Sequence, residues 1–110
     1  MALYQLYFLN AGGSIEAAQD VEAESDAVAL FVADALCEAC ADVCDQFDLW
    51  QGVRRIEKLP VRGDAALIAD ARQVVLKTAR AIRERGGLLA QSKALVAAIE
   101  KLEREIAARG

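Results

Sequence analysis

Seven residues near the start of the chain, LYQLYFL at positions 3–9, constrain the fold more than any other stretch. In an extended segment successive side chains point to opposite faces, so Tyr4, Leu6 and Phe8 share one face while Leu3, Tyr7 and Leu9 surround Gln5 on the other. Apolar residues on both faces predict a central strand covered on both sides. Asn10-Ala11-Gly12-Gly13-Ser14 then supplies residues that tolerate positive φ, and Ile15, Ala17 and Val21 recur at even spacings, which predicts a β-hairpin. A glycine pair cradles phosphate where a helix N-terminus follows it; a strand follows here, so the turn reading is preferred.

The period then changes. Ser25 or Asp26 can cap a helix running to about Asp45, with Val28, Phe31, Val32, Ala35, Leu36, Ala39 and Val43 on one face and Asp34, Glu38, Asp42 and Asp45 on another. FDLWQGVRRIEKL, residues 47–59, returns to strand-like composition with Gly52 as a bulge, and Pro60 ends it. A strand reached by a helical crossover runs parallel to the second strand and can pair antiparallel with the first, giving the order 2-1-3. From Asp64 to about Arg85 the residues Leu67, Ile68, Ala71, Val74, Val75, Thr78, Ala79 and Ile82 form one helical stripe, which Gly86-Gly87 breaks. Leu88, Ser92, Leu95, Ile99, Leu102 and Ile106 then follow the seam spacing of paired helices. The expected fold is α+β: a three-stranded sheet (β-β-α-β, order 2-1-3) followed by a C-terminal helical hairpin, in a single domain 1–110 whose parts are 1–60 and 64–109.

YQLYFLNAGGSI, the acidic stretch and helix after it, and LWQGVRRI resemble a group of short alphaproteobacterial proteins classed as a domain of unknown function. The likeness covers about residues 4–57 and implies a compact β-β-α-β unit. It lends no catalytic residues, because that family has no agreed activity.

Charge is distributed unevenly. Residues 1–50 hold ten acids and no Lys or Arg, a net −10, whereas residues 51–110 hold thirteen bases and seven acids, a net +6. Two such halves attract each other or a partner. The 55% hydrophobic content argues for a packed core and against disorder. The N-terminus lacks the basic region of a secretory signal, and AVALFVADALC is interrupted by Asp34 and too short to span a bilayer, so no membrane association is expected. Three cysteines, all within 37–44, offer no disulfide framework and suit a reducing cytoplasm.

Cys37, Cys40 and Cys44 fall at i, i+3 and i+7, so their sulfurs can lie along one helix side. A closed zinc site needs four ligands, and a chain without histidine would have to recruit a carboxylate, water or another chain. A reactive Cys-x-x-Cys pair gains its low pKa at a helix N-terminus, while these thiols lie far into the helix among Asp34, Glu38 and Asp42, which raise thiol pKa values. Burial beside the core stripe is the preferred reading, with a cysteine-based metal or redox site as an alternative. The absence of histidine also removes the commonest general base. Tyr7 and Trp50 read as core or packing aromatics in preference to a ligand surface.

Between Arg54 and Arg85 nine bases face four acids, and Arg72, Lys77, Arg80 and Arg83 share the helix side opposite the apolar stripe. Such a stripe could follow phosphates or an acidic protein, but the chain is acidic overall and carries no recognition motif, so nucleic-acid binding is the weaker alternative. The sequence thus predicts a cytoplasmic, non-catalytic interaction or assembly protein without cofactor, self-associating as a homodimer.

Overall fold

In the computed structural model of the protein the described residues are 2–56, 65–87 and 89–109, without the side chains of 65–67 and 109. Strand β1 (Ala2–Leu9) pairs antiparallel with β2 (Ile15–Ala23), helix α1 (Asp26–Ala39) crosses over, and β3 (Gln46–Gln51) returns antiparallel to β1 on its other side. The second and third strands are therefore parallel in direction and flank the first, as the crossover argument requires. Correction comes at the end of β3: the sheet has four strands in the order β2-β1-β3-β4, not three in the order 2-1-3. Trp50 pairs with Arg55 and Gln51 with Arg54, so β4 (Arg54–Arg55) folds back after Gly52 and Val53. Gly52, at φ +61°, holds the first central position of this two-residue turn, where a side chain would be strained; it is the turn itself rather than a bulge. Glu57–Asp64, including Pro60, lie outside the described residues.

The β1–β2 turn is tied by Asn10, whose Oδ1 accepts from the backbone N–H groups of Gly12 and Ser14, while Gly13 takes the positive φ of +83°. A register shift between Phe8 and Leu9 sets Leu9 opposite Ile15.

The buried helix packing falls on one face of the sheet. Tyr4, Leu6 and Phe8 of β1, Val21 and Ala23 of β2, and Phe47 and Leu49 of β3 are buried against α1 and the second long helix, α2 (Ala65–Arg85). Helix α1 lies on β1, β2 and β3, with α2 beside it over β2. Ser25 caps α1 by accepting from the Val28 N–H at 3.3 Å. The face of α1 that reaches the core is rotated from expectation: Ala29, Leu30, Ala33 and Cys37 are buried with Val28, Val32 and Leu36, and Phe31, Ala35 and Ala39 are only partly so. The helix also stops early, at Ala39 with Cys40 as its cap, and residues 41–43 turn back so that the Asp45 N–H reaches the Leu9 carbonyl at 2.9 Å. Gly86 and Gly87, both at positive φ, end α2, and a short 3₁₀ turn (Leu89–Gln91) precedes α3 (Lys93–Arg109). Ser92, Leu95 and Ile99 are fully buried on α3's inner side, while Leu102 and Ile106 pack against the core edge; Leu88 is outside the described residues.

The outer edge of β2 is occupied by side chains. The Ala18 carbonyl accepts from Arg85 Nη1 at 3.3 Å, and the Asp20 carbonyl accepts from Gln19 Nε2 at 3.2 Å.

Candidate functional site

The expectation that β1 is covered on both sides does not hold for the described residues. Leu3 is 51% exposed and Gln5 and Tyr7 are partly exposed; Leu9 alone is buried on this second face, and no described helix packs its core residues there. Cross-strand partners share a face, so the pairing register builds it row by row. Asp20, Gln5, Trp50 and Arg55 form one continuous row across all four strands. Glu22 and Leu3 lie on one side of that row; Ala18, Tyr7 and Asp48, and then Ile15, Leu9 and Gln46, lie on the other. Ile15 is 63% exposed, so two of the large exposed hydrophobic residues, Leu3 and Ile15, belong to this face, while Val53 caps the β3–β4 turn. Charge is uneven across the rows: Asp20 and Glu22 lie on β2, Leu3, Gln5, Tyr7 and Leu9 on β1, Gln46, Asp48 and Trp50 on β3, and Arg55 on β4. Arg55 Nη2 donates to Asp48 Oδ1 at 2.8 Å and keeps 57% of its side chain exposed.

The strongest polar cluster ties the sheet to α1. Tyr4 Oη donates to Asp26 Oδ1 at 2.7 Å, and Arg54 grips the same carboxylate with Nη1 to Oδ2 at 2.8 Å and Nη2 to Oδ1 at 3.0 Å. Arg54 also donates to Gln51 Oε1. The Arg54 and Tyr4 hydrogen bonds hold the Asp26 carboxyl down at about 2, against the desolvation of its site. Burial, with help from the Asp26 carboxylate, pushes the Tyr4 phenol up to about 12. The sequence alone does not show this cluster: Asp26 reads there as a capping candidate and Tyr4 as plain core.

At the far end of α1, Ser92 Oγ donates to Asp42 Oδ1 at 2.6 Å and accepts from the Leu95 N–H at 3.1 Å. Ser92 thus caps α3 while anchoring it to the turn after α1, and its hydrogen bond lowers the Asp42 carboxyl below the usual range.

The three cysteines are brought together, but not along one helix side, because α1 ends between them. Cys37 is helical, Cys40 is the C-cap and Cys44 follows the turn. Cys37 and Cys44 have sulfurs 3.9 Å apart, Cys44 Sγ also donates toward the Cys37 carbonyl at 3.7 Å, and all three side chains are buried. Burial first, then Asp42, pushes the Cys40 thiol up to about 11; burial first, then Cys37, pushes Cys44 up to about 12. Desolvation, not the acidic neighbourhood, is thus the larger cause. Among the described residues no group of three or more His, Cys, Asp or Glu side chains is placed to hold a metal ion.

The basic residues singled out on α2 are mostly met by carboxylates. Arg72 lies 3.8 Å from Glu105, Arg80 3.5 Å from Glu103 and Lys77 3.9 Å from Glu22, while Arg83 is exposed beside Arg80 and Glu84. With Asp26–Arg54 and Asp48–Arg55, three of the ion pairs join the acidic half of the chain to the basic half.

No family model matches the chain, and comparison with curated proteins and with solved structures returns no match either. Among the described residues no helix is long and apolar enough to cross a membrane.

Proposed function

We propose that the protein is a non-catalytic interaction module that self-associates, and that the uncovered face of its sheet is the surface it uses. One observation carries this reading: helices cover one face of the four-stranded sheet, while the other presents Leu3, Tyr7, Ile15 and Trp50, and no described helix packs its core residues there. An antiparallel sheet tolerates a solvated face when that face is polar. Here Leu3, Tyr7 and Trp50 stand on the two central strands beside Gln5 and Asp48, and exposed apolar groups rimmed by polar ones mark interaction sites. Among the described residues the clefts lie along the margin of β2 and along the helices, one of them between Asp20 and Glu22 of β2 and Val74, Lys77 and Thr78 of α2.

In this reading the chain works as a single domain in a reducing cytoplasm, with its thiols sheltered and α2 and α3 acting as a helical hairpin that backs the sheet. The resemblance of residues 4–57 to the alphaproteobacterial family fits the same β-β-α-β frame. Phosphate or acidic-partner binding through Arg72, Lys77, Arg80 and Arg83 draws less support, because carboxylates already stand beside three of these four bases.

Light scattering over a concentration series tests the proposal. A mass that rises to that of a dimer supports it; a monomer at every concentration up to about 1 mM overturns it, since a specific interface of standard size would be occupied there.

A further inference from the structure

We infer that the sheet face pairs with the same face of a second copy about a two-fold axis parallel to the strands, so that Asp20 of each copy meets Arg55 of the other. This inference rests on the self-association proposed above and adds its geometry.

Two orientations bring identical sheets face to face with two-fold symmetry and strands aligned. If the axis runs across the strands, β2 falls on β2, and Asp20 and Glu22 stack against their own copies, with Lys77 of α2 beside Glu22 alone to offset the repulsion. If the axis runs along the strands, through the space between β1 and β3, the sheet order is reversed and β2 falls on β4. The row Asp20–Gln5–Trp50–Arg55 then maps onto itself backwards. With strands about 4.8 Å apart, this row is about 14 Å wide, and its two charged ends exchange. Asp20 faces Arg55 of the second copy, and the symmetry repeats the pair at the other end. Charge therefore selects the second arrangement.

The centre of the row supports the same choice. Trp50 lands over Gln5 of the second copy, flanked by Leu3 and Tyr7 on the same strand. An indole buried in an interface needs an acceptor for its N–H, and the Gln5 amide oxygen supplies one while Leu3 and Tyr7 cover the ring. Arg55 already spends one N–H on Asp48 within its own chain, and its guanidinium has further donors in the same plane for a second carboxylate. The interface has an anchor at its core and a charged pair at each rim, the layout of specific protein contacts.

Sedimentation equilibrium on the full chain, read together with Trp50 emission, tests the pairing. Trp50 is the sole tryptophan, so its emission reports this face alone. In the wild type, emission shifts to the blue as dimer forms. Asp20→Lys replaces two attractions by two repulsions and raises the dimer dissociation constant about 10- to 100-fold. Arg55→Glu does the same, and the double variant returns to within about threefold of wild type. Because Arg55→Glu also sets a carboxylate beside Asp48, thermal melts accompany each variant, and the wild-type emission shift stands independently of them. A dimer whose emission does not shift, or whose dissociation constant Asp20→Lys leaves within about twofold, overturns this pairing while leaving self-association in place. A chain that stays monomeric overturns both.

Discussion

Asp26 offers the most direct test of how the sheet and α1 are joined. Its carboxylate accepts the buried Tyr4 hydroxyl, receives the Arg54 fork and sits in the first turn of α1. Each contribution has a known scale. The Arg54 pair is half-exposed, with 52% and 45% of the side chains open to solvent, so screening keeps its contribution small. The charge at the helix N-terminus adds about 0.3–1 kcal/mol. A phenol as buried as Tyr4, left without its acceptor, costs about 1–3 kcal/mol. Asp26→Ala loses all three and should cost about 3 kcal/mol; Asp26→Asn keeps an acceptor for Tyr4 and should cost about 1 kcal/mol. Urea unfolding at neutral pH separates the two, and the acid dependence adds a second check. The folded carboxyl sits at about 2, below its ordinary 3.8, so its stabilisation is complete above about pH 4 and is lost as pH falls toward 2. The gap between wild type and Asp26→Asn should close across that window. At the alkaline end the sign reverses for Tyr4: its folded pKa is raised, so stability is full below about pH 10 and falls as pH rises toward 12. Equal destabilisation by Asn and Ala, or a gap that survives unchanged at pH 2, would refute this account of the cluster.

Ser92→Ala removes both the α3 cap and the hydroxyl that Asp42 accepts, and should lower stability by about 1–2 kcal/mol, with hydrogen exchange rising first at the Leu95 and Val96 amides. The buried, high-pKa thiols should react with a disulfide reagent at mildly alkaline pH far more slowly in the native protein than in urea, where all three label; fast native labelling of Cys44 would contradict its burial. Leu36→Ala empties a fully buried site between α1 and the sheet and should cost about 3 kcal/mol, read as a shift in the urea midpoint at unchanged slope.

Much of the architecture is legible in the residues because local pattern and packing agree. The strand LYQLYFL, the Asn-Ala-Gly-Gly-Ser turn, the crossover helix and the Gly86-Gly87 break each rest on a periodicity or a backbone requirement that tertiary structure preserves. The errors have specific causes. The strand β4 is two arginines long, too short for any alternation, although a glycine in the first position of a two-residue loop does signal the turn before it. Helix α1 stops at Ala39 without glycine or proline; what ends it is tertiary, the burial of Cys40 and Cys44 and the docking of Asp42 onto Ser92. The uncovered sheet face reads as buried when β1 is taken alone. Its neighbour gives the answer: Asp20 and Glu22 on β2 share a face with Gln5 and Leu3, and two carboxylates would not sit opposite a covered strand surface. The row from Asp20 to Arg55 needs three registers at once and is visible only in the folded chain.

The side chains that occupy the free margin of β2 bear on how large an assembly this molecule can build. A sheet whose outermost strand offers bare carbonyls can add copies laterally without end, and so grows into fibrils. With Arg85 and Gln19 already bonded to Ala18 and Asp20, lateral growth must first break those bonds. Stacking through the open side meets no such obstacle, but it saturates after one neighbour, so concentrated solutions of the protein should stay clear and free of thioflavin-binding aggregate.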